Sequence, residues 1–400
     1  MEAYIFDWLN LLLRWLHVIT AIAWIGSSFY FVWLDNSLLP PEDPALKAKG
    51  VGGELWAVHG GGFYNPQKYL LAPKKLPAHL HWFFWEAYST WLSGFALFSV
   101  LYLFNAKTFL VDPGVMPMAA STAVAAALGF LAAGWLLYDA VCRVFGDRRH
   151  GDRIVGVLLV VLVAAGAWLA CHLFAGRAAF LLMGATLATI MSGNVFFWII
   201  PGQRKMVASM RAGNAPDPIH GKRGKQRSVH NTYFTLPVLF AMLSNHYSMT
   251  YAAPHNWVVL LAIMLAGVLV RQFFVLRHKG IFKPGYPIAA VVVLVAVAVW
   301  IAPQPPAATA APAQGEVSFA TVQAIIAGHC LQCHAAKPSM MPVPGKGVVL
   351  EDKAAILQHA QMIYQQVVVQ KSMPLGNLTH LSDEDRRVLG EWYEAGAKGE

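Results

Sequence analysis

The stretch Ile154–Phe174, IVGVLLVVLVAAGAWLACHLF, runs without one Asp, Glu, Lys or Arg. It is about as long as the roughly 20 apolar residues that a helix needs to cross a hydrocarbon core. Seven further runs of this kind lie around it, at about Trp8–Leu34, Trp82–Phe104, Met118–Val141, Ala178–Ile200, Tyr233–Met249, Trp257–Leu276 and Tyr286–Ile301. The run at Tyr233 is the weakest, being broken by Pro237. Composition agrees: of 400 residues 57% are apolar and 13% charged, against about a quarter charged in a soluble domain. The expected fold is therefore all-α, a polytopic bundle of eight transmembrane helices, with the lipid bilayer as its first partner.

The net charge of +9 does not point to nucleic acid, because of where the cations fall. Lys47, Lys49, Lys68, Lys74 and Lys75 lie between the first two runs, and Arg143, Arg148, Arg149 and Arg153 between the third and fourth. Arg204 to Arg227 and Arg277 to Lys283 fill two more loops, whereas the intervening loops hold only Lys107 and Arg177. By the positive-inside rule the basic loops are cytoplasmic, so both termini are expected in the periplasm of a bacterial inner membrane. The first run has no basic segment before it and no small-x-small cleavage site, and reads as a retained helix rather than a signal peptide. Cys142 and Cys171 fall within runs and read as small packing residues.

After residue 302 the character changes. Ala302–Gly315 is a Pro/Ala stretch, and residues 303–315 read as a linker between a membrane domain, 1–302, and a small domain, 316–400. That domain opens on a helix capped by Ser318 and closes on one capped by Ser382-Asp383-Glu384-Asp385. Between them stands Cys330-Leu331-Gln332-Cys333-His334, a C-x-x-C-H run. Two thiols at this spacing can add to the vinyl groups of one haem while the following imidazole ligates its iron. Cys330 and Cys333 are thus the expected covalent anchors of a haem c, and His334 its proximal ligand. Met373, followed by Pro374 in a polar loop, is the expected distal ligand, with Met340, Met341 and His359 as alternatives. A zinc half-site is the competing reading. Covalent haem is attached outside the cytoplasm, which agrees with the charge argument.

Ionisable groups inside apolar runs cost about 2.5–3.5 kcal/mol at a helix centre and mark functional positions. His17, His172 and His246 fall in the outer halves of their runs, and His17 with His246 are the candidate ligands of a haem b. On the inner side stand His59 before Gly60-Gly61-Gly62, then His79, His81 and Glu86 among Trp82, Phe83, Phe84 and Trp85, and then His230-Asn231-Thr232. Taken as one helix, residues 81 and 86 lie about 140° apart. His, Asn, Thr and Glu beside aromatic rings suit a planar, polar, anionic heterocycle, so His59, His81, Glu86 and His230 are the candidate catalytic residues.

The runs Trp15-Leu16-His17 to Ala23-Trp24-Ile25-Gly26-Ser27-Ser28-Phe29, Glu54-Leu55-Trp56-Ala57-Val58-His59 to Tyr64, and His79-Leu80-His81-Trp82 to Tyr88 carry a resemblance, as do His230 to Tyr233 and Leu243 to Tyr247. The chain resembles the membrane-bound bacterial urate hydroxylases over essentially its whole length. The resemblance implies eight helices fused to a cytochrome c, oxidation of urate to 5-hydroxyisourate, and electrons leaving through haem c to a soluble cytochrome c and terminal oxidase. It also strengthens the haem b expectation at His17. The competing function is a quinol:cytochrome c electron-transfer membrane protein using the same histidines.

Overall fold

The computed structural model describes residues 2–70, 72–73, 75–302, 317–341 and 343–399; the expected linker at 303–315 lies outside them. The chain is mostly helical. Its first helix, α1 (Glu2–Ser37), leads into two antiparallel hairpins made of β1 (Val51–Glu54) with β4 (Gln67–Tyr69) and β2 (Ala57–His59) with β3 (Gly62–Tyr64). Then come α2 (Trp85–Phe98), α3 (Ala120–Phe145), α4 (Gly151–Leu173), α5 (Gly176–Asn194), α6 (Pro218–Leu243), α7 (Asn256–His278) and α8 (Gly285–Trp300). The C-terminal part adds α9 (Phe319–His329), the single turn α10 (Leu331–His334) and α11 (Asp383–Glu394).

Among the described residues, five helical segments are long and apolar enough to cross a membrane: Trp8–Ser37, Ala120–Phe145, Gly151–Leu173, Gly176–Arg211 and Asn256–His278. The other three expected spans differ for identifiable reasons. Helix α2 has 14 residues before its hydrogen bonding widens to a π-helical turn at Ser99–Leu103. Helix α8 has 16 residues, about 24 Å of rise against a hydrocarbon core of about 30 Å. Helix α6 is long enough at 26 residues, but it starts well before the expected Tyr233. Asp217 caps it by accepting from the Ile219 N–H at 2.9 Å, and Pro218 sits in its first turn, so Lys222, Arg223, Lys225 and Arg227 are helical rather than in a loop.

Helix α5 is the hub. Its apolar segment is 72% buried, and after a π-helical turn at Val195–Ile199 it continues as Ile200–Arg211. Small residues let its neighbours approach: a Cβ on Gly134 of α3 would lie 2.3 Å from the Thr186 methyl, and one on Gly184 would lie 2.7 Å from Ala241 of α6. Such contacts replace the hydrophobic drive that is weak between helices in lipid. One core joins Ala123, Ala127, Tyr138, Val155, Ala167, Phe180, Leu187 and Leu260. A second gathers Phe319, Val322, Ile326, Ile356, Leu389 and Trp392 in the C-terminal part.

Candidate functional site

The residues expected to form one inner site are sorted by the structure into three places. A cavity of about 550 Å³ opens where α1 ends, α2 begins, and the π turn after α5 meets α6 and α7. His81 and Glu86 both line it, with Trp24, Phe31, Trp82, Phe83, Asn231, Thr232 and Tyr233. The helical angle between His81 and Glu86 is therefore not the relevant geometry. The helix begins only at Trp85, so Glu86 stands in its first turn while His81 precedes it in irregular chain. The His81 ring meets Phe83 edge to face at 4.7 Å, and Phe83 meets Phe31 of α1 in the same manner at 4.8 Å. This aromatic chain holds the imidazole at the cavity rim. Among the described residues no hydrogen bond ties down the Glu86 carboxylate.

His59 is elsewhere. It is exposed at the end of β2 and pairs across the hairpin with Gly62. Gly60 and Gly61 take φ of +59° and +80°, as a two-residue type I′ turn requires. The glycine run is thus explained by the turn, and neither it nor His59 lines the cavity. The hairpin region is tied to the bundle by an ion pair between Lys68 and Asp35 of α1.

His230 stands behind the cavity wall in a network that sequence reasoning missed. Its Nδ1 is 2.9 Å from the Tyr138 hydroxyl, which accepts from Asn194 Nδ2 at 2.8 Å. Asn194 also donates to Asn231 Oδ1 at 2.9 Å, and Asn231 Nδ2 donates to the Met191 carbonyl at 3.0 Å. Asn231, a cavity residue, is therefore fixed from both ends. Below it Arg227, 2% exposed, donates to Asp139 at 2.8 Å and to Asn194 at 3.3 Å, and it stacks on Trp198 at 4.6 Å. Asp139 also accepts from Trp198 at 2.7 Å and from Arg143 at 2.6 Å. A buried pair carrying this many hydrogen bonds returns little net stability, but it fixes side chains in one arrangement. The missed signal was Asp139, a lone acid in an apolar run.

His17, His172 and His246 are held separately. His17 Nδ1 lies 3.1 Å from the Thr90 carbonyl and 3.2 Å from Ser93 Oγ, and its ring packs where Gly94 of α2 has no side chain. His246 is exposed in a 3₁₀ turn after α6, and His172 is bonded at 2.7 Å to the carbonyl of its own helix at Trp168. Neither His17 nor His246 lines the cavity.

In the C-terminal part, Ser318 caps α9 through the Thr321 N–H, and α9 ends directly before the C-x-x-C-H turn. Cys330 and Cys333 are free thiols. Cys330 packs against the second core and Met373 packs against the same core, whereas Met340 and Met341 do not. Arg386 fixes the Met373 loop, donating to its carbonyl at 2.8 Å, and the Met373 N–H donates to Gln366 at 3.1 Å. His334 Nδ1 is 3.1 Å from the Val348 carbonyl, the orientation that aims Nε2 away for ligation. Gly345 lies against the ring, where a Cβ would come within 3.0 Å of Cε1. Burial, then the charge of Cys333, pushes the Cys330 thiol up to about 12, and burial raises Cys333 too. A structural zinc needs four ligands, and among the described residues no three His, Cys, Asp or Glu side chains converge. An apolar thiol pair, an oriented imidazole and a braced Met loop fit a covalent haem.

With this geometry in view, comparison with known families is decisive for the N-terminal helical part. Residues 3–302 match the urate oxidase N-terminal family. The chain belongs to that family. Membership associates it with oxidative chemistry on urate, and the match covers every segment that builds the cavity. Comparison with the curated proteins gives no match, and comparison with the solved structures gives none.

Proposed function

We propose that the cavity binds urate and that the protein oxidises it to 5-hydroxyisourate, passing the electrons to a soluble cytochrome c and a terminal oxidase. The observation that carries this reading is the placement of His81 and Glu86 on an aromatic-lined cavity of about 550 Å³ built within the segment that matches the urate oxidase N-terminal family. That size is ordinary for a small-molecule site. Trp24, Phe31, Trp82 and Phe83 offer faces on which a purine stacks. The free carboxylate of Glu86 serves as base for a ring N–H, and the His81 imidazole donates to a ring carbonyl oxygen. Asn231, locked by Asn194 and Met191, contributes a wall that does not move. The reaction balances as urate plus water giving 5-hydroxyisourate, two protons and two electrons. Haem c on Cys330, Cys333, His334 and Met373, when bound, accepts electrons one at a time.

The cavity lies at the basic end of the bundle, beside Lys225 and Lys279, which under the positive-inside rule is the cytoplasmic side of a bacterial inner membrane. The C-terminal part then lies in the periplasm. A haem b between His17 and His246 would bridge the two, and a pyridine haemochrome spectrum showing only the c-type signal removes it.

The test of the whole reading is anaerobic addition of urate to the oxidised full-length protein while the haem c absorption band is followed. Urate is expected to reduce it. Reduction by a quinol analogue but not by urate would replace this reading with that of a quinol:cytochrome c electron-transfer protein.

A further inference from the structure

Helix α7 carries a cation that has no counter-charge among the described residues. Arg271 is 3% exposed, yet its Nε and Nη2 have no hydrogen-bond partner. Its guanidinium lies instead over an apolar ring, that of Phe29, 4.0 Å from the centroid. The nearby Tyr233 hydroxyl is directed to Gln272 instead. The other buried arginine of the bundle, Arg227, shows what a structural role looks like, with Asp139 and Asn194 both accepting from it. Arg271 has no such partners, and buried charges are ordinarily paired.

Its position explains the omission. Val275 stands one turn further along the same stripe of α7, Lys279 caps the helix a turn beyond it, and both line the cavity. So do Tyr233 and Ser28, the latter adjacent to Phe29. Arg271 therefore continues the cavity's own stripe one turn deeper, directly behind its wall. We propose that Arg271 is the fixed positive charge that makes this cavity select an anionic purine over a neutral one. This rests on the reading of the cavity as a urate site.

Contact is not required for this role. An unpaired charge in a low-dielectric surround acts across a layer of side chain far more strongly than one in water. The other charges at the cavity differ in kind. Lys225 and Lys279 are exposed and screened by salt, and Asp35 is answered by Lys68. Glu86 opposes an anion until it takes a proton from it, so a second, buried cation offsets its field.

The experiment uses the full-length protein with its haem c reduced beforehand, so that urate binds without being consumed. Equilibrium dialysis then measures binding of urate, an anion at neutral pH, and of hypoxanthine, which is neutral. In Arg271→Met the ratio of urate to hypoxanthine affinity is expected to fall by about tenfold or more and to remain lowered at high salt. Arg271→Lys, which keeps the charge, is expected to retain most of the preference. An unchanged ratio in Arg271→Met overturns the inference alone, as does an equal loss of both purines in both variants, which would mark a structural arginine. Failure of the unaltered protein to bind urate overturns the reading of the cavity itself.

Discussion

The cavity and the C-x-x-C-H region are built in opposite ways. In the C-terminal part the decisive groups Cys330, Cys333 and His334 are neighbours in sequence, and one short turn, α10, presents them together. In the cavity no two decisive groups come from one helical turn: His81 arrives on irregular chain, Glu86 on α2, Asn231 on α6, and the π turn after α5 forms the opposite wall. A site of the first kind is written locally and survives any arrangement of the rest. A site of the second kind exists only if the bundle packs in one way, which is what the network around Arg227 secures.

The largest effect should separate the two regions outright. Cys330→Ala and Cys333→Ala together are expected to abolish covalent haem, seen as loss of haem staining on a denaturing gel, while urate binding measured by dialysis stays. Loss of urate binding in that variant would mean that the two regions are not independent. Next is Asp139→Ala, which strands the buried Arg227 guanidinium and removes the acceptor for Trp198 and Arg143. Breaking a buried pair costs about 3–5 kcal/mol, so thermal unfolding of the purified protein should fall sharply and urate binding with it. The haem c spectrum should be unchanged. Glu86→Gln keeps the size and loses the base, and is expected to slow urate-driven haem reduction by about 100-fold. A stopped-flow trace at wild-type rate would remove Glu86 from the chemistry.

Much of the fold was legible because apolar run length is a one-dimensional signal. Run four, which holds no charged residue, matches α4 closely, and run seven matches α7 in spite of Arg271. The sixth did not, because its N-terminal half is held by a cap at Asp217-Pro218 and by buried partners of Arg227, which run length does not report. Of the candidate site, His81 and Glu86 were legible as polar groups among aromatic rings, though the irregular chain before Trp85 was not. Tyr138, Asp139 and Asn194 were invisible as a set, since their spacing along the chain carries no period and only packing of α3 on α5 unites them. Arg271 was equally silent: whether an arginine is paired is a fact of three dimensions.

The smallest expected effect is at His59, and it sharpens the comparison most. A histidine beside three glycines looks like a local site of the same kind as C-x-x-C-H. The structure offers a sufficient cause that involves no ligand: Gly60 and Gly61 occupy left-handed φ, and His59 is the exposed strand residue that precedes them. Replacing Gly61 by a β-branched residue should strain the turn by about 1–2 kcal/mol, since the left-handed conformation is costly for an L side chain. His59→Ala removes only an exposed ring and should alter neither the rate of urate-driven haem reduction nor urate affinity by more than about twofold, surface substitutions of this kind being close to neutral. A tenfold loss of rate in His59→Ala with affinity intact would place the hairpin over the cavity during turnover, swung in on the Lys68–Asp35 tie. The inner site would then be completed by a locally written element after all.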